Sequence, residues 1–337
     1  MNISGRRGKF LFILWVISLF ILNFSWAQDK KPLTHDVYDS WESIASQKIS
    51  PNGNWVLYLE TPQDGDAELV VIHLKNNQEF RYGIGYSGEG TEAERSANAA
   101  FSYDSRYVGF MISPSQEAVK EAEKDKKKKK EDLKKSLGIM DLSNGETEVI
   151  ERVQSFKMPE EAGGRLAYLM EKPEEDKDKD KEEAEKKAEE EKKKAEKTKK
   201  SEEEEEEEEK KKEKKYGTPL VLRSLEDGTE TTFESAMEYL FTKKGARLIY
   251  TVSSEEKPET DGIYAYLPDS KSNKALLTGE GNYKNIALDE EETRLAFLTD
   301  LEDYEADEPT FNLYGWNIGD AAAELWKRGP IASCRSV

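Results

Sequence analysis

The nearest approach in the chain to a nucleophile motif is Gly85-Tyr-Ser-Gly-Glu89. A nucleophile elbow needs Gly-x-Ser-x-Gly because its strained strand-to-helix turn admits only small neighbours. Here the second glycine comes one place early, Glu89 stands where glycine is required, and no apolar helix follows. The same stretch contains Gly83-Ile-Gly-Tyr-Ser-Gly88, formally G-x-G-x-x-G. A dinucleotide site needs a strand–turn–helix unit and an acidic residue about 20 positions on. A Gly/Glu/Ala-rich segment leads into another strand instead, so these glycines read as a connection between repeats.

His35 and His73 are the two histidines. An imidazole-based triad or zinc site needs convergent partners. His73 lies in the alternating run Val70-Val-Ile-His-Leu74 and His35 stands beside Asp36, so both read as ordinary polar surface or edge residues. Cys334 is the single cysteine, with no histidine near it in sequence and no second cysteine for a disulfide. Trp41, Trp55 and Trp316 could stack on sugars, but aromatics alternating with polar neighbours in strands belong to a core. No catalytic, cofactor-binding or metal residue is assigned, and no cofactor is expected.

Asp and Glu number 70 against 51 Lys and Arg, for a net charge of -19. Much of that charge sits in two segments, 117–135 and 174–215, the second including the unbroken run Glu202 to Glu209. Neither can bury a core. They read as solvated surface-loop insertions, disordered or helical, since Glu/Lys mixtures of coiled-coil-like composition support i,i+4 pairs. They lack the Gly and Asn turn residues of a calcium loop. Their Lys is interleaved with Glu, so no basic face is offered to nucleic acid, and none is expected as a partner.

Arg6, Arg7 and Lys9 precede the apolar run Phe10 to Phe24, and Ser25-Trp26-Ala27 supplies a small-residue exit. This is the pattern of a cleavable export signal, 1–27, giving a mature start at Gln28 and a periplasmic or secreted protein. The run is short for a span, which needs roughly 20 residues, and no other stretch is apolar enough, so no stable membrane span is expected after cleavage.

With the insertions set aside, the remainder is a series of short strands. They include 55–59, 69–74, 107–112, 166–170, 220–222, 247–252, 262–266, 294–298 and 313–318, rich in β-branched, aromatic and Leu residues and bounded by turn formers. Only Tyr38 to Gln47 suggests a short helix. The strands repeat. Ile49-Ser-Pro-Asn-Gly-Asn-Trp-Val-Leu-Tyr58 matches Phe101-Ser-Tyr-Asp-Ser-Arg-Tyr-Val-Gly-Phe110. The segments starting at Leu240 and Ile286 have the same shape, and Phe156 to Tyr168 is a degenerate copy. Each is followed by a hairpin whose turn is Lys75-Asn-Asn, Ser143-Asn-Gly-Glu, Glu226-Asp-Gly-Thr or Pro268-Asp-Ser-Lys. Asn-Gly and Asp-Gly favour hairpins because both tolerate positive φ.

The period of roughly 40 to 50 residues is that of four-stranded propeller blades. The expected fold is all-β, a β-propeller with about five recognisable blades near 36–82, 95–152, 153–234, 236–283 and 284–328. Both insertions fall between the second and third strands of their blades and should decorate one rim. The propeller occupies 28–328, followed by an irregular tail, 329–337.

The segment from Trp41 to Tyr58 resembles the propeller start of exported prolyl oligopeptidase family serine peptidases, the dipeptidyl-aminopeptidase and acylaminoacyl-peptidase-like proteins. The repeat itself is similar to TolB-like propellers. In the peptidase family the propeller filters access to a C-terminal α/β-hydrolase domain carrying Ser, Asp and His in that order. The resemblance implies the non-catalytic part of such an enzyme, incomplete and inactive alone, reaching peptide substrates through the parent's hydrolase domain. Some members bind the substrate N-terminus through a propeller Glu pair or an Arg. Glu42, Glu68 and Glu94 align with no such motif, so no role is transferred to them. The alternative is a free-standing TolB-like propeller that binds protein or peptide. Five blades are fewer than this peptidase family uses, so the array is expected to be an open arc with an unpaired edge that invites association.

Overall fold

The computed structural model of the chain describes residues 41–86, 99–124, 133–172, 214–306 and 309–329. The expected export signal, His35, Ser87 to Glu89, Glu94, most of the insertion at 174–215, and Cys334 with the rest of the tail lie outside the described residues. The described residues from Glu42 onward form one compact unit.

Within it the chain runs as consecutive antiparallel meanders. The first sheet is β1 (Glu42–Ile49), β2 (Trp55–Pro62), β3 (Ala67–His73) and β4 (Glu79–Gly85). The second is β5 (Ala99–Phe101), β6 (Tyr107–Ile112), β7 (Ser136–Asp141) and β8 (Thr147–Glu151), with helix α1 (Gln116–Lys124) inside the first charged insertion. A seven-stranded sheet follows: β9 (Val153–Lys157), β10 (Arg165–Met170), β11 (Thr218–Ser224), β12 (Glu230–Phe241), β13 (Leu248–Val252), β14 (Gly262–Leu267) and β15 (Ser272–Thr278). The last is β16 (Tyr283–Leu288), β17 (Arg294–Thr299), β18 (Asn312–Asn317) and β19 (Glu324–Lys327).

The seven-stranded sheet is two blades joined through one long strand. The first part of β12, Glu230 to Phe233, pairs with β11, and Tyr239 to Phe241 pairs with β13. Ser235 between them has a φ of 56°, so the chain bends there out of one blade and into the next. Counted this way the array has five four-stranded blades, whose limits fall within a few residues of the repeat units.

The repeat motif has a hydrogen-bonding cause. In four of the five blades a side-chain oxygen just after the first strand accepts the backbone N–H five residues on, at the start of the second. The pairs are Trp55 N to Ser50 Oγ (3.0 Å), Tyr107 N to Ser102 Oγ (2.9 Å), Arg247 N to Thr242 Oγ1 (2.9 Å) and Arg294 N to Asp289 Oδ1 (2.8 Å). The backbone closes the same turn in return, as in Ser50 N to Trp55 O (2.9 Å). A short polar side chain is therefore required at that position. The degenerate third copy has Pro159 in its turn and no such bond among those described.

Four apolar cores lie between successive blades. Trp55, Leu57, Leu69 and Val71 of blade 1 meet Val108, Phe110 and Met140 of blade 2. Tyr107, Leu137 and Ile139 meet Phe156, Leu166 and Tyr168. Leu220, Leu222 and Phe233 meet Tyr239, Leu248 and Tyr250. Ile249, Ile263 and Leu276 meet Leu295, Phe297 and Trp316. A single sheet leaves one face bare; stacking blades covers it, which is what stabilises the array.

One expected element is replaced. The helix read over Tyr38 to Gln47 is strand β1 from Glu42 onward. Its residues bond across to β2, Ile44 opposite Glu60 and Ile49 opposite Val56, with a bulge at Ser46 (φ 58°). Cross-strand pairing outweighs a weak helical pattern in so short a segment.

Candidate inner-strand site

The first strand of each blade ends its sheet (β12 excepted at its blade-3 half), and side chains of neighbouring blades take up several of its free backbone groups. Side chains stitch these strands across blade boundaries. Lys48 Nζ on β1 donates to Ala99 O on β5 at 2.6 Å. Lys157 Nζ on β9 donates to Tyr239 O on β12 at 2.9 Å and lies 5.1 Å from the Tyr239 ring centre. Glu238 on β12 accepts the N–H groups of Asn285 and Ile286 on β16, both at 3.2 Å. Bulges shape the same strands: Ser46, Ser235 and Asn285 have φ between 56° and 58° and sit where register shifts occur. A bulge re-aims side chains without ending the strand.

Between β9, β12 and β16 these residues line an open groove of about 320 Å³, with Gln154, Ser155, Lys157, Glu238, Tyr239 and Ile286 among its walls. Its wall is half polar in kind: Ser155 Oγ and Tyr239 Oη lie 3.1 Å apart. Burial pulls the Lys157 ammonium below the usual lysine range, because a desolvated cation loses its water. The same effect pushes the Tyr239 phenol up. The groove therefore offers one poorly hydrated cation, a carboxylate engaged with backbone N–H groups, amide and hydroxyl donors, and strand edges. That combination suits hydrogen bonding to an extended chain.

The opposite feature is a rim built from the loops between second and third strands. Gln116 N, at the start of α1, donates to Asp66 Oδ1 at 2.7 Å, and Lys120 lies 3.5 Å from Asp64, so the blade 2 insertion leans on the blade 1 loop. A hydrogen bond from the Gln116 side-chain amide, then the Lys120 charge, holds the Asp64 carboxyl below its ordinary range. Lys134 pairs with Glu171 at 3.6 Å, joining the end of one insertion to the start of the other. Lys214 at the far end of the second insertion bonds Asp261 Oδ2 of blade 4 at 2.6 Å and sits 4.7 Å from the Tyr304 ring of blade 5. The described ends of both insertions thus lie among the loops between second and third strands.

The other sequence candidates scatter. His73 ends β3 with its ring 4.6 Å from Trp55, edge to face, and its Nδ1 buried without a partner. Gly83 and Gly85 belong to β4; Gly85 has φ 72°, and a Cβ there would lie 2.0 Å from Ser113 O, so its glycine serves close passage of blade 1 against blade 2. Trp55 and Trp316 are core residues, while Trp41 is 52% exposed. Glu42 lies on β1 and Glu68 on β3, where it bonds Arg81. Among the described residues no group of His, Cys, Asp and Glu is placed to hold a metal ion, and no helix is long and apolar enough to cross a membrane. The inner-strand residues were not singled out from sequence; the repeat alignment, which placed Phe156 and Leu240 at equivalent positions, was the signal that could have found them.

No protein-family profile matches the chain, and no curated protein matches it. Among solved structures it is similar to a prolyl endopeptidase, at 15% identity and a TM-score of 0.41, covering 85% of this chain and 36% of that one. It is similar to a putative TolB from Agrobacterium tumefaciens at 9% identity and a TM-score of 0.35, covering 84% and 80%. It is also similar to the β-propeller domain of the Trilobed protease from Pyrococcus furiosus at 14% identity and a TM-score of 0.28, covering 86% of each. The chain spans about a third of the prolyl endopeptidase's length. On its own topology, five stacked four-stranded meanders, the chain is a β-propeller array.

Proposed function

We propose that the chain is the non-catalytic, peptide-admitting propeller of an exported prolyl oligopeptidase-type serine peptidase, working in the periplasm or outside the cell. The observation that carries this is the groove of about 320 Å³ among β9, β12 and β16, bounded by strand edges and holding Lys157 and Glu238. A groove of that volume has room for a short extended segment of peptide but not for the face of a folded domain. The sequence resemblance between Trp41 and Tyr58 points the same way. In the whole enzyme, peptide would pass to a hydrolase domain.

The test is fluorescence anisotropy with short labelled peptides and, in parallel, a small folded protein of similar charge. Peptides are expected to bind and the folded protein not; Lys157→Met should weaken peptide binding about tenfold or more, a loss typical of one charge-assisted hydrogen bond. Equal binding of both ligands, or none, overturns the reading. The second reading, a free-standing TolB-like propeller that binds a protein partner, is favoured by the continuous rim that joins the loops of all five blades. Capture of a folded partner that is lost on removing 174–213, with groove variants inert, would establish it.

A further inference from the structure

The groove between β9, β12 and β16 is unevenly supplied with hydrogen-bonding groups. Its one lining carboxylate is already engaged: Glu238 Oε1 accepts Asn285 N and Oε2 accepts Ile286 N, both at 3.2 Å. Its donors are largely unspent. Of the three N–H groups of a lysine ammonium, Lys157 gives one to Tyr239 O at 2.9 Å, and the Tyr239 ring lies 5.1 Å away. Ser155 Oγ and Tyr239 Oη, 3.1 Å apart, share one hydrogen bond, which uses the proton of one hydroxyl and leaves the other. The Gln154 side-chain amide has no partner among the described residues.

The remaining wall is apolar: Leu169, Met237, Leu240 and Ile286. Apolar neighbours lower the local polarity, and a charged contact there counts for more than in bulk water. The carboxylate of Glu238 is the opposing charge, but two backbone N–H groups already stabilise it. Lys157 makes no ion pair among the described residues; its direct contacts are a neutral carbonyl and a ring. What such a wall lacks is an acceptor that carries negative charge.

We infer that the groove selects peptides by a carboxylate, either an acidic side chain or a free C-terminus, whose oxygens accept from Lys157 Nζ and from the Ser155–Tyr239 hydroxyl pair. The inference rests on the peptide-admitting function proposed above, since it names the class of peptide that the same groove takes. The overall charge of the chain works the other way. Its 70 acidic residues against 51 basic ones attract a basic peptide and repel an acidic one. A preference for carboxylate therefore comes from these side chains and not from the field of the whole protein.

Fluorescence anisotropy of the full chain with four peptides of one length, labelled at the N-terminus, tests it. The first is neutral, with a central glutamine and an amidated C-terminus. The second has glutamate in place of that glutamine, the third has lysine there, and the fourth is the neutral peptide with a free C-terminal carboxylate. The glutamate peptide, the free-carboxylate peptide or both are expected to bind about tenfold or more tightly than the neutral one, and which of them does so separates the side-chain source from the terminal one. In Lys157→Met that ratio is expected to fall to about one. A ratio taken within one variant does not depend on how much of it is folded. Equal binding of all four, tighter binding of the lysine peptide, or a ratio that survives Lys157→Met overturns the inference and leaves peptide admission standing. No binding by any of the four overturns both.

Discussion

The two faces of blade 1 are made from the same strands by alternate residues, and they meet opposite fates. Leu57, Leu59, Leu69 and Val71 are at most 2% exposed against blade 2, while Ile44 and Ile49 on the other face are 59% and 68% exposed. Hydrophobicity alone does not distinguish them, since isoleucine is as apolar as leucine. What differs is whether another described blade lies across the face. Val70, on the same side as Ile44 and Ile49, is fully buried all the same, with the long side chains of Tyr58 and Arg81 as its cross-strand neighbours. A sheet face is thus partly covered by its own long side chains.

The comparison is broken most directly by cutting equivalent groups from the two kinds of face. Phe297 is fully buried in the last inter-blade core, stacked 5.9 Å from Tyr314. Phe297→Ala should lower the unfolding free energy by about 3–5 kcal/mol, the cost of lost transfer energy plus a cavity. Ile49→Ser, on the other face of blade 1, should stay within about 0.5 kcal/mol. Urea unfolding at low protein concentration measures both. Similar losses would mean that this face is covered within the single chain.

The second effect tests the rim against the cores. The Lys214 and Asp261 side chains are 10% and 0% exposed, and Asp261 also accepts Ser254 N at 2.7 Å. Lys214→Met removes the cation and leaves a buried carboxylate without its partner, expected to cost about 3 kcal/mol. Burial depresses the Lys214 ammonium, but the Asp261 hydrogen bond and charge outweigh it, so its pKa is raised in the fold. A raised folded pKa gives stability that is complete below the unfolded value of 10.5 and is lost as pH climbs through the folded one. Unaltered chain and variant should therefore converge in stability only above about pH 10.5. If unfolding curves show no loss at pH 7, the second insertion is not anchored through this pair.

Much of this array was legible because its signals are local. The turn after each first strand demands a short polar side chain at Ser50, Ser102, Thr242 and Asp289, and that demand is visible as a repeat. The Asn144-Gly145 and Asp227-Gly228 hairpins announce themselves because Gly145 and Gly228 take φ of 79° and 70°. The first strands were harder to read. β1 carries a weak helical pattern, and β5, β9 and β16 are short or bulged, so period-two alternation never accumulates. The inner groove was invisible for a different reason. Lys157, Glu238 and Ile286 are far apart in the chain, and only stacking of blades brings them to one wall. A glutamate that accepts backbone N–H groups looks, in sequence, like any other among so many.

The smallest effect concerns the turns that decide which face a residue joins. A register slip of one residue in a hairpin would send every apolar side chain of that strand to the wrong side. In the β11–β12 hairpin, Asp227 Oδ1 accepts Thr229 N at 3.1 Å and Thr229 Oγ1 at 2.9 Å. The Ser224 hydroxyl, then Thr229, hold the Asp227 carboxyl down to about 2. A depressed folded pKa gives stability that is present above the unfolded value of 3.8 and disappears as pH falls through the folded one. Asp227→Asn keeps the shape of the turn and removes the charge. It should melt slightly lower than the unaltered chain at pH 7, with the gap closing between about pH 4 and pH 2. Asp227 is wholly exposed to solvent, so the difference is expected to be small. A gap that persists unchanged down to pH 2 would show that the side chain serves the turn by geometry alone, and that the glycine beside it is what sets the register.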